Sequence, residues 1–441
     1  MTVLAVVALI ALLICLISWA RLPPFAAFIA TALIGALYFG MPLAEIGKSL
    51  ERGIGDMLGG LTAIICLGAM FGRIIADSGA ARCIAQALVG AVGVRFILIA
   101  LALTGLIVGI ALFYAVGFVV LVPLVFTFVA RTRLPAVQLG IPLLCGLSIA
   151  HGFLPPHPSP VALIKVFGAD TGLTLLYGLI VGGVTLMVAG PMLALTLAGV
   201  TPRGADRAPE SVPAVSEERL PHPFNSCFTA LAPVILIAAA TAAAYIPGGS
   251  PQLKAVITFI GQPTVALMLS LIYATLTLGV ARGMRLKTIM QGYGESLQAV
   301  AAILLVLAGA GALKQVFVDS GVNTELAVWL QTVPVHPLIL GWLIAMAIRV
   351  ALGSATIAGL TAAGIMVPIV GISHVNPNLM VLAIGAGSLM CSHVNDAGFW
   401  LFKEYFNLDL RNTFRSWTLM ESVAGIVGLV CVLGLNLILS R

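Results

Sequence analysis

Charge is what this sequence has least of. Only 9% of its 441 residues are Asp, Glu, Lys or Arg, against about 25% in a soluble domain. So few charges cannot cover a water-facing surface, which excludes an ordinary soluble enzyme or binding domain. The seven cysteines (15, 66, 83, 145, 227, 391 and 431) form no CxxC pair. Six of them lie in or beside apolar stretches, so they read as small buried hydrophobes, with no disulfide framework or metal site. No HExxH or GxSxG motif is present, and His151 and His157 lack companion zinc ligands nearby. Gly47-Lys48-Ser49 is no phosphate loop, because Pro42 stands where that motif needs glycine. Without a nucleotide-binding domain, no cofactor is expected and the energy source must be a gradient. The 22 basic residues are spread over connecting segments, which argues against nucleic acid as a partner. No Lys or Arg precedes Arg21, so the apolar stretch 3–20 lacks the basic region of a secretory signal and reads as a first retained span.

What the chain has in place of charge is apolar length. It is 61% hydrophobic with 47 glycines and a mean hydropathy of +1.14. Lipid is the solvent that suits such a chain, at about 20 mostly apolar residues per helical span. Apolar runs fall at 3–20, 23–41, 57–75, 96–130, 137–150, 172–199, 226–246, 263–281, 292–317, 338–373, 377–392 and 417–439. The runs 96–130 and 338–373 are too long for one crossing, and each is expected to break into two elements. The fold class expected is an all-α polytopic membrane protein with about 12–14 transmembrane elements. The net charge of +6 fits the basic cytoplasmic loops of a bacterial-type inner-membrane protein, or steering of an anionic substrate. Alternating fourteen elements from an outside N-terminus puts most Lys and Arg on one side, Lys48, Arg52 and Lys314 being exceptions.

The two halves echo each other. GIGD (53–56) matches GYGE (292–295), ADSG (76–79) matches VDSG (318–321), VPL (122–124) matches VPI (367–369), and the SIAH ending at His151 matches the MCSH ending at His393. The offset is nearly constant at about 240 residues, which marks an internal duplication. This divides the chain into a repeat over 1–200, a polar Pro-, Arg- and Glu-rich cytoplasmic linker over 201–225, and a second repeat over 226–441. Seven elements per half is odd, so the second repeat is expected to be inverted. Inverted repeats with broken or re-entrant helices place a binding site near the bilayer midplane.

A site there needs polar groups that only a broken helix can expose. One break is expected within Arg349–Gly359, where Ser354 and Thr356 offer hydroxyls. Its counterpart lies within Gly109–Gly117, where Phe113, Tyr114 and Ala115 stand instead. Arg349 lies deep in an apolar run, so it either clamps a carboxylate or pairs with an intramembrane Asp. Two further breaks are expected at His151–Pro160, with four prolines at 155–160, and at Ser392–Gly398. The second holds His393, Asn395 and Asp396. Asn395 can bond a polyol or carboxylate, Asp396 is the carboxylate placed for proton exchange, and His151, His157 and His393 can titrate near neutral pH. Asp77 and Asp319 are expected to cap helices at their DSG turns. Glu45, Lys48, Glu51 and Arg52 read as a solvated amphipathic linker.

Three long stretches carry a resemblance: GFLPPHPSPVALIKVFGADTG (152–172), RVALGSATIAGLTAAGIMVP (349–368) and AIGAGSLMCSHVNDAGFWLFKEYFNL (383–408). They resemble the gluconate:proton symporter (gluconate permease) family, within the ion-transporter superfamily, and LGAMFGRIIADSGAARCIA (67–85) extends the likeness over essentially the whole chain. The resemblance implies an inner-membrane permease importing gluconate or a related sugar acid with protons. D-Serine or another small carboxylate is the alternative within that family, and a passive anion channel the alternative outside it. It further implies substrate contacts among His151, Ser354, Thr356, Asn395 and Asp396, and homo-oligomerisation as a fixed scaffold for a moving part. In LFYAVGFVVLVPLVF (112–126) it implies an acidic residue at the position held here by Ala115, so either the proton route passes through Asp396 or a histidine such as His393, or proton coupling is weakened in this chain.

Overall fold

The computed structural model describes residues 2–200, 220–245, 250–322, 335–373 and 375–440, and among these there are helices and no strands. In chain order the helices are α1 (Thr2–Ser18), α2 (Pro24–Tyr38), α3 (Leu43–Asp77), α4 (Ala80–Val92), α5 (Ile97–Ala111), α6 (Tyr114–Thr132), α7 (Ala136–Phe153), α8 (Pro158–Phe167) and α9 (Thr171–Thr196). After the expected linker, most of which (201–219) lies outside the described residues, come α10 (Pro223–Tyr245), α11 (Pro251–Ile260), α12 (Pro263–Arg282), α13 (Leu286–Asp319), α14 (Pro337–Leu352), α15 (Ala355–Ile372), α16 (Pro377–Leu389), α17 (Ala397–Tyr405) and α18 (Leu410–Leu439). Among the described residues eight helical stretches are long and apolar enough to cross a membrane, and seven shorter apolar helices accompany them.

Local chemistry sets many boundaries. Proline opens α2, α8, α11, α12, α14 and α16 within the first two positions, where its missing N–H leaves no helical bond unmade. Both long apolar runs break as expected. The first does so at Leu112-Phe113 between α5 and α6, and the second at Gly353-Ser354 between α14 and α15. Gly353 has a left-handed φ of +73°, and a Cβ there would lie 2.2 Å from the Asn395 carbonyl oxygen. Only glycine fits this turn.

Two readings differ from the sequence expectation. Glu45, Lys48, Glu51 and Arg52 belong to the first turns of α3, which runs unbroken for 35 residues. Asp77 and Asp319 end helices rather than start them. The glycine after each, Gly79 and Gly321, takes positive φ as a helix stop does. The Asp77 carboxylate accepts from Arg73 within its own helix, and that of Asp319 accepts from Gln315 Nε2 and lies 3.7 Å from Arg52 Nη1 of α3.

The halves correspond in three dimensions as well as in sequence. The pairs α3 and α13, α5 and α14, and α6 and α15 have matching positions and lengths, and α7 and α16 start at matching positions, with 18 and 13 residues. Helices α3 and α13 pack on each other, α2 packs on α13 as α12 packs on α3, and α5–α7 contacts mirror those of α14–α16. Such an exchange of partners is what a two-fold relation between the halves produces. At the α3–α13 crossing a Cβ on Gly53 would lie 2.4 Å from the Gly311 carbonyl oxygen, and the converse holds equally. The two backbones therefore touch with no side chain between them.

Helices α7 and α16 are the interior of the bundle. The apolar window of Ala136–Phe167 is 94% buried, and every residue of α16 from Asn378 to Leu389 is buried. They meet where Gly385 faces the Gly152 carbonyl. By contrast α9 leaves Leu176, Leu179, Ile180, Val184 and Met187 exposed, a stripe at helical spacing that suits lipid.

Candidate functional site

A cavity of about 960 Å³ lies where the two long-run breaks meet. Its wall includes Phe113 to Val116 from the first half and Gly353 to Ile357 from the second, the opening turns of α6 and α15. Those turns differ in one respect. Ser354 caps α15 by accepting from the Ile357 N–H, whereas α6 has Phe113 at its cap position and no side-chain cap. The first N–H groups of α6 have no intrahelical acceptor, and with the helix dipole they form an anion-favouring corner of the cavity.

The buried positive charge on the same cavity is Arg349, in the last turn of α14 and 4% exposed. Its Nη1 donates to the Gly353 carbonyl, and its Nη2 lies 2.5 Å from Asp396 Oδ2. Asp396 is heavily committed: Oδ2 also accepts from Ser392 Oγ, and Oδ1 accepts from the Gly398 N–H at 3.0 Å, capping α17. Of the two expectations for Arg349, the pairing with an intramembrane Asp is the one seen. Its Nε has no partner, so one donor of the guanidinium is unspent beside the cavity. Asn395 also lines the wall, with Nδ2 donating to the Val350 carbonyl at 2.8 Å. The α16–α17 break is tied to α18, where Trp417 Nε1 donates to Ser392 Oγ at 2.8 Å and Thr418 Oγ1 to the Ser392 carbonyl at 2.6 Å. A π turn over Phe414–Thr418 re-aims this end of α18, as such turns do near functional sites.

Of the residues singled out from sequence, the cavity gathers Ala115, His151, Arg349, Ser354, Thr356, Asn395 and Asp396. It does not gather His157 or His393. His157 is buried with Nε2 2.5 Å from the Gly109 carbonyl oxygen, and it packs edge-on against His151 and Phe113. It locks the Pro155-Pro156 break against α5. His393 stands within the α16–α17 break, its carbonyl accepting from the Asp396 N–H at 2.8 Å. Among the described residues no group of three or more His, Cys, Asp or Glu could hold a metal ion.

Sequence reasoning missed Glu421. It sits in α18 inside the run 417–439, is 2% exposed, and lines the cavity. Ser148 Oγ donates to Glu421 Oε1 at 2.5 Å, and Glu421 Oε2 has no partner. The signal was available, since a lone carboxylate in an apolar span is as costly as Arg349 and as rarely incidental. The cavity wall also includes a partly exposed cluster, with Arg73 Nε 2.6 Å from Asp77 Oδ2 and Arg73 Nη1 3.0 Å from Glu295 Oε2, joining α3 to α13.

Comparison with known proteins decides what kind of protein carries this broken-helix cavity. The GntP family permease model matches residues 1–438. The chain belongs to the GntP permease family. The Gnt-II system L-idonate transporter of Escherichia coli is 42% identical, each chain covered over 100% of its length. A high-affinity gluconate transporter of the same organism is 42% identical, with 99% of each covered. A gluconate permease of Pseudomonas aeruginosa is 43% identical over 97% of this chain and 96% of its own. Among solved structures, the YdaH transporter of Alcanivorax borkumensis aligns with a TM-score of 0.68 at 16% identity, over 94% of this chain and 98% of that one. MtrF of Neisseria gonorrhoeae aligns at 0.65, also at 16% identity, over 92% and 93%. These last two show a shared fold. As a GntP permease the protein is a multi-pass membrane transporter, in agreement with the family resemblance and with the expectation that it is not an enzyme.

Proposed function

We propose that this permease imports gluconate or a closely related sugar acid across a bacterial-type inner membrane by proton symport. The observation that carries the reading is the pairing of one buried arginine with one uncapped helix N-terminus on a single cavity, Arg349 and the start of α6. The unpartnered Arg349 Nε and the free N–H groups of α6 suit one carboxylate, while Ser354, Thr356 and Asn395 suit the hydroxyls of a polyol chain. The volume falls in the range of small-molecule sites. The names of the relatives, gluconate and L-idonate transporters, favour a sugar acid over an amino acid.

In this reading the halves 1–200 and 226–441 are inverted repeats joined by a cytoplasmic linker, and both termini face outward. Asp396 and the cavity histidine His151 tune the site, and a homo-oligomer holds one part still while the other moves. Radiolabelled gluconate uptake into proteoliposomes, with and without an inward proton gradient, tests the proposal. Saturable, gradient-stimulated uptake competed by L-idonate but not by D-serine is expected. Uptake competed by D-serine alone would replace the substrate, and conductance without saturation would replace the transporter with a channel.

A further inference from the structure

The proton-symport reading needs a group that gains and loses a proton in contact with the substrate cavity, and the acidic residue implied at position 115 is an alanine. We propose that Glu421 carries the coupling proton, with Ser148 holding its carboxylate in place. The inference rests on that reading of the function and goes beyond it by naming the carrier.

Geometry separates Glu421 from the other acid on the cavity. Asp396 accepts from Arg349, Ser392 and the Gly398 N–H, so a proton arriving there must displace an existing donor. Glu421 accepts from Ser148 alone, and its second oxygen is buried with no partner. Glu421 lines the cavity, and its unpartnered oxygen is where a proton can be added without displacing a donor. Ala115 lines the same cavity, so a carboxylate from α18 serves the same space that one from α6 would.

The charges around Glu421 explain why proton and substrate would move together. From α14 it faces Arg349, and from the α16–α17 break Asp396. From α6 it faces Tyr114 and from α7 Cys145, with His151 on the cavity one turn beyond Ser148. Helix α16 carries no titratable side chain, and α9 carries only Tyr177. Arg349 and Asp396 cancel, so ionising Glu421 adds a negative charge to a cavity wall where Arg73, Asp77 and Glu295 already leave one carboxylate in excess. An incoming sugar-acid carboxylate is repelled by it in a low-dielectric site. Protonation at Oε2 from cavity water removes that charge and admits the anion. Loss of the same proton to water on the other side restores the charge and expels the anion. One proton is taken up and one released per cycle, with no other reactant.

The test compares wild type with Glu421→Gln in proteoliposomes, by gluconate counterflow at equal pH and by uptake under an inward proton gradient. Glutamine mimics the protonated state, so counterflow should persist while stimulation by the gradient is lost. Stimulation surviving in Glu421→Gln overturns the proposal. Loss of counterflow in a folded, monodisperse Glu421→Gln also overturns it, because the residue would then be needed for binding. Should that variant not reach the membrane, Glu421→Asp and Ser148→Ala take its place. Both keep a carboxylate and should stay gradient-driven while moving the pH of half-maximal uptake. An unmoved pH profile in both overturns the assignment. Wild-type uptake that ignores the gradient would reject the symport reading itself, whatever the variants do.

Discussion

Arg349 Nη2 and Asp396 Oδ2 lie 2.5 Å apart and bind together two separate helix breaks of the second half, that after α14 and that between α16 and α17. The pair thereby fixes the spacing of the two segments that supply Ser354, Thr356 and Asn395 to the cavity. A desolvated pair of this kind is strongly destabilising when halved, because the survivor is left uncompensated. Asp396→Asn should therefore lower stability by about 3–5 kcal/mol, read as a large drop in thermal midpoint in detergent, and should abolish uptake. Arg349→Gln combined with Asp396→Asn should recover much of the stability without recovering transport. Equal damage in the single and double variants would show that the pair does not act as a unit.

Gly353 makes the same junction possible from the backbone side. Alanine there would hold a left-handed φ that costs about 1–2 kcal/mol, and its Cβ would collide with the Asn395 carbonyl 2.2 Å away. Gly353→Ala should lose transport and melt early. Gly364→Ala, in α15 with nothing within 4 Å of the new Cβ, should be tolerated or gain up to about 1 kcal/mol in helix propensity. Thermal melts of both variants in one detergent settle the comparison.

The histidines give a contrast between site and scaffold. His151 lines the cavity, whereas His157 is bonded to the Gly109 carbonyl outside it. His151→Gln should raise the KM for uptake with little change in melting. His157→Phe should cost about 1–2 kcal/mol through the lost hydrogen bond and leave KM near wild type. The reverse pattern would move the substrate toward the Pro155-Pro156 break.

These contrasts follow from what was and was not legible in the sequence. The splitting of the runs 96–130 and 338–373 could be read from length alone, because lipid thickness limits a span. Arg349 stood out because charge in an apolar run is expensive. The same argument applied to Glu421, but one acid in a run otherwise free of charge was passed over, and nothing in the chain order joins Ser148 to a residue 273 positions away. His157 and His393 sit in breaks, which alone does not put them on the cavity. Which side of a break a ring faces depends on packing against α5 and α18, which spacing along the chain does not encode. At the DSG turns Asp, a good N-cap, points to a helix start, yet the glycine that follows each one fits a helix stop equally well.

Arg73 offers a test of electrostatic entry. It is about one-third exposed and holds Asp77 and Glu295 together at the cavity wall. Exposure of that degree limits its worth to stability to about 1 kcal/mol or less. Removing it, however, leaves two carboxylates facing an anionic substrate. Arg73→Gln should slow initial uptake at low ionic strength, and the deficit should shrink as salt screens the carboxylates. A deficit independent of salt would instead place Arg73 in direct contact with substrate.

Ala115 lines the cavity from the first turn of α6, where the family resemblance implies an acid. Ala115→Glu would put a second carboxylate on the cavity that already holds Glu421. The sign of its effect follows from charge. At low pH both carboxyls are protonated, the cavity carries no added negative charge, and uptake should match or exceed wild type. As pH rises both ionise, and a sugar-acid anion meets one more negative charge than it does in the wild type. Uptake by Ala115→Glu should therefore fall more steeply with pH than wild-type uptake does, giving a stronger pH dependence. In the double variant Ala115→Glu with Glu421→Gln a single carboxylate is restored to the same space, and gradient-driven uptake should return. Initial rates across a pH series for the three proteins measure this directly. A profile in Ala115→Glu that superimposes on wild type would show that a charge at the start of α6 is not felt by the transported anion.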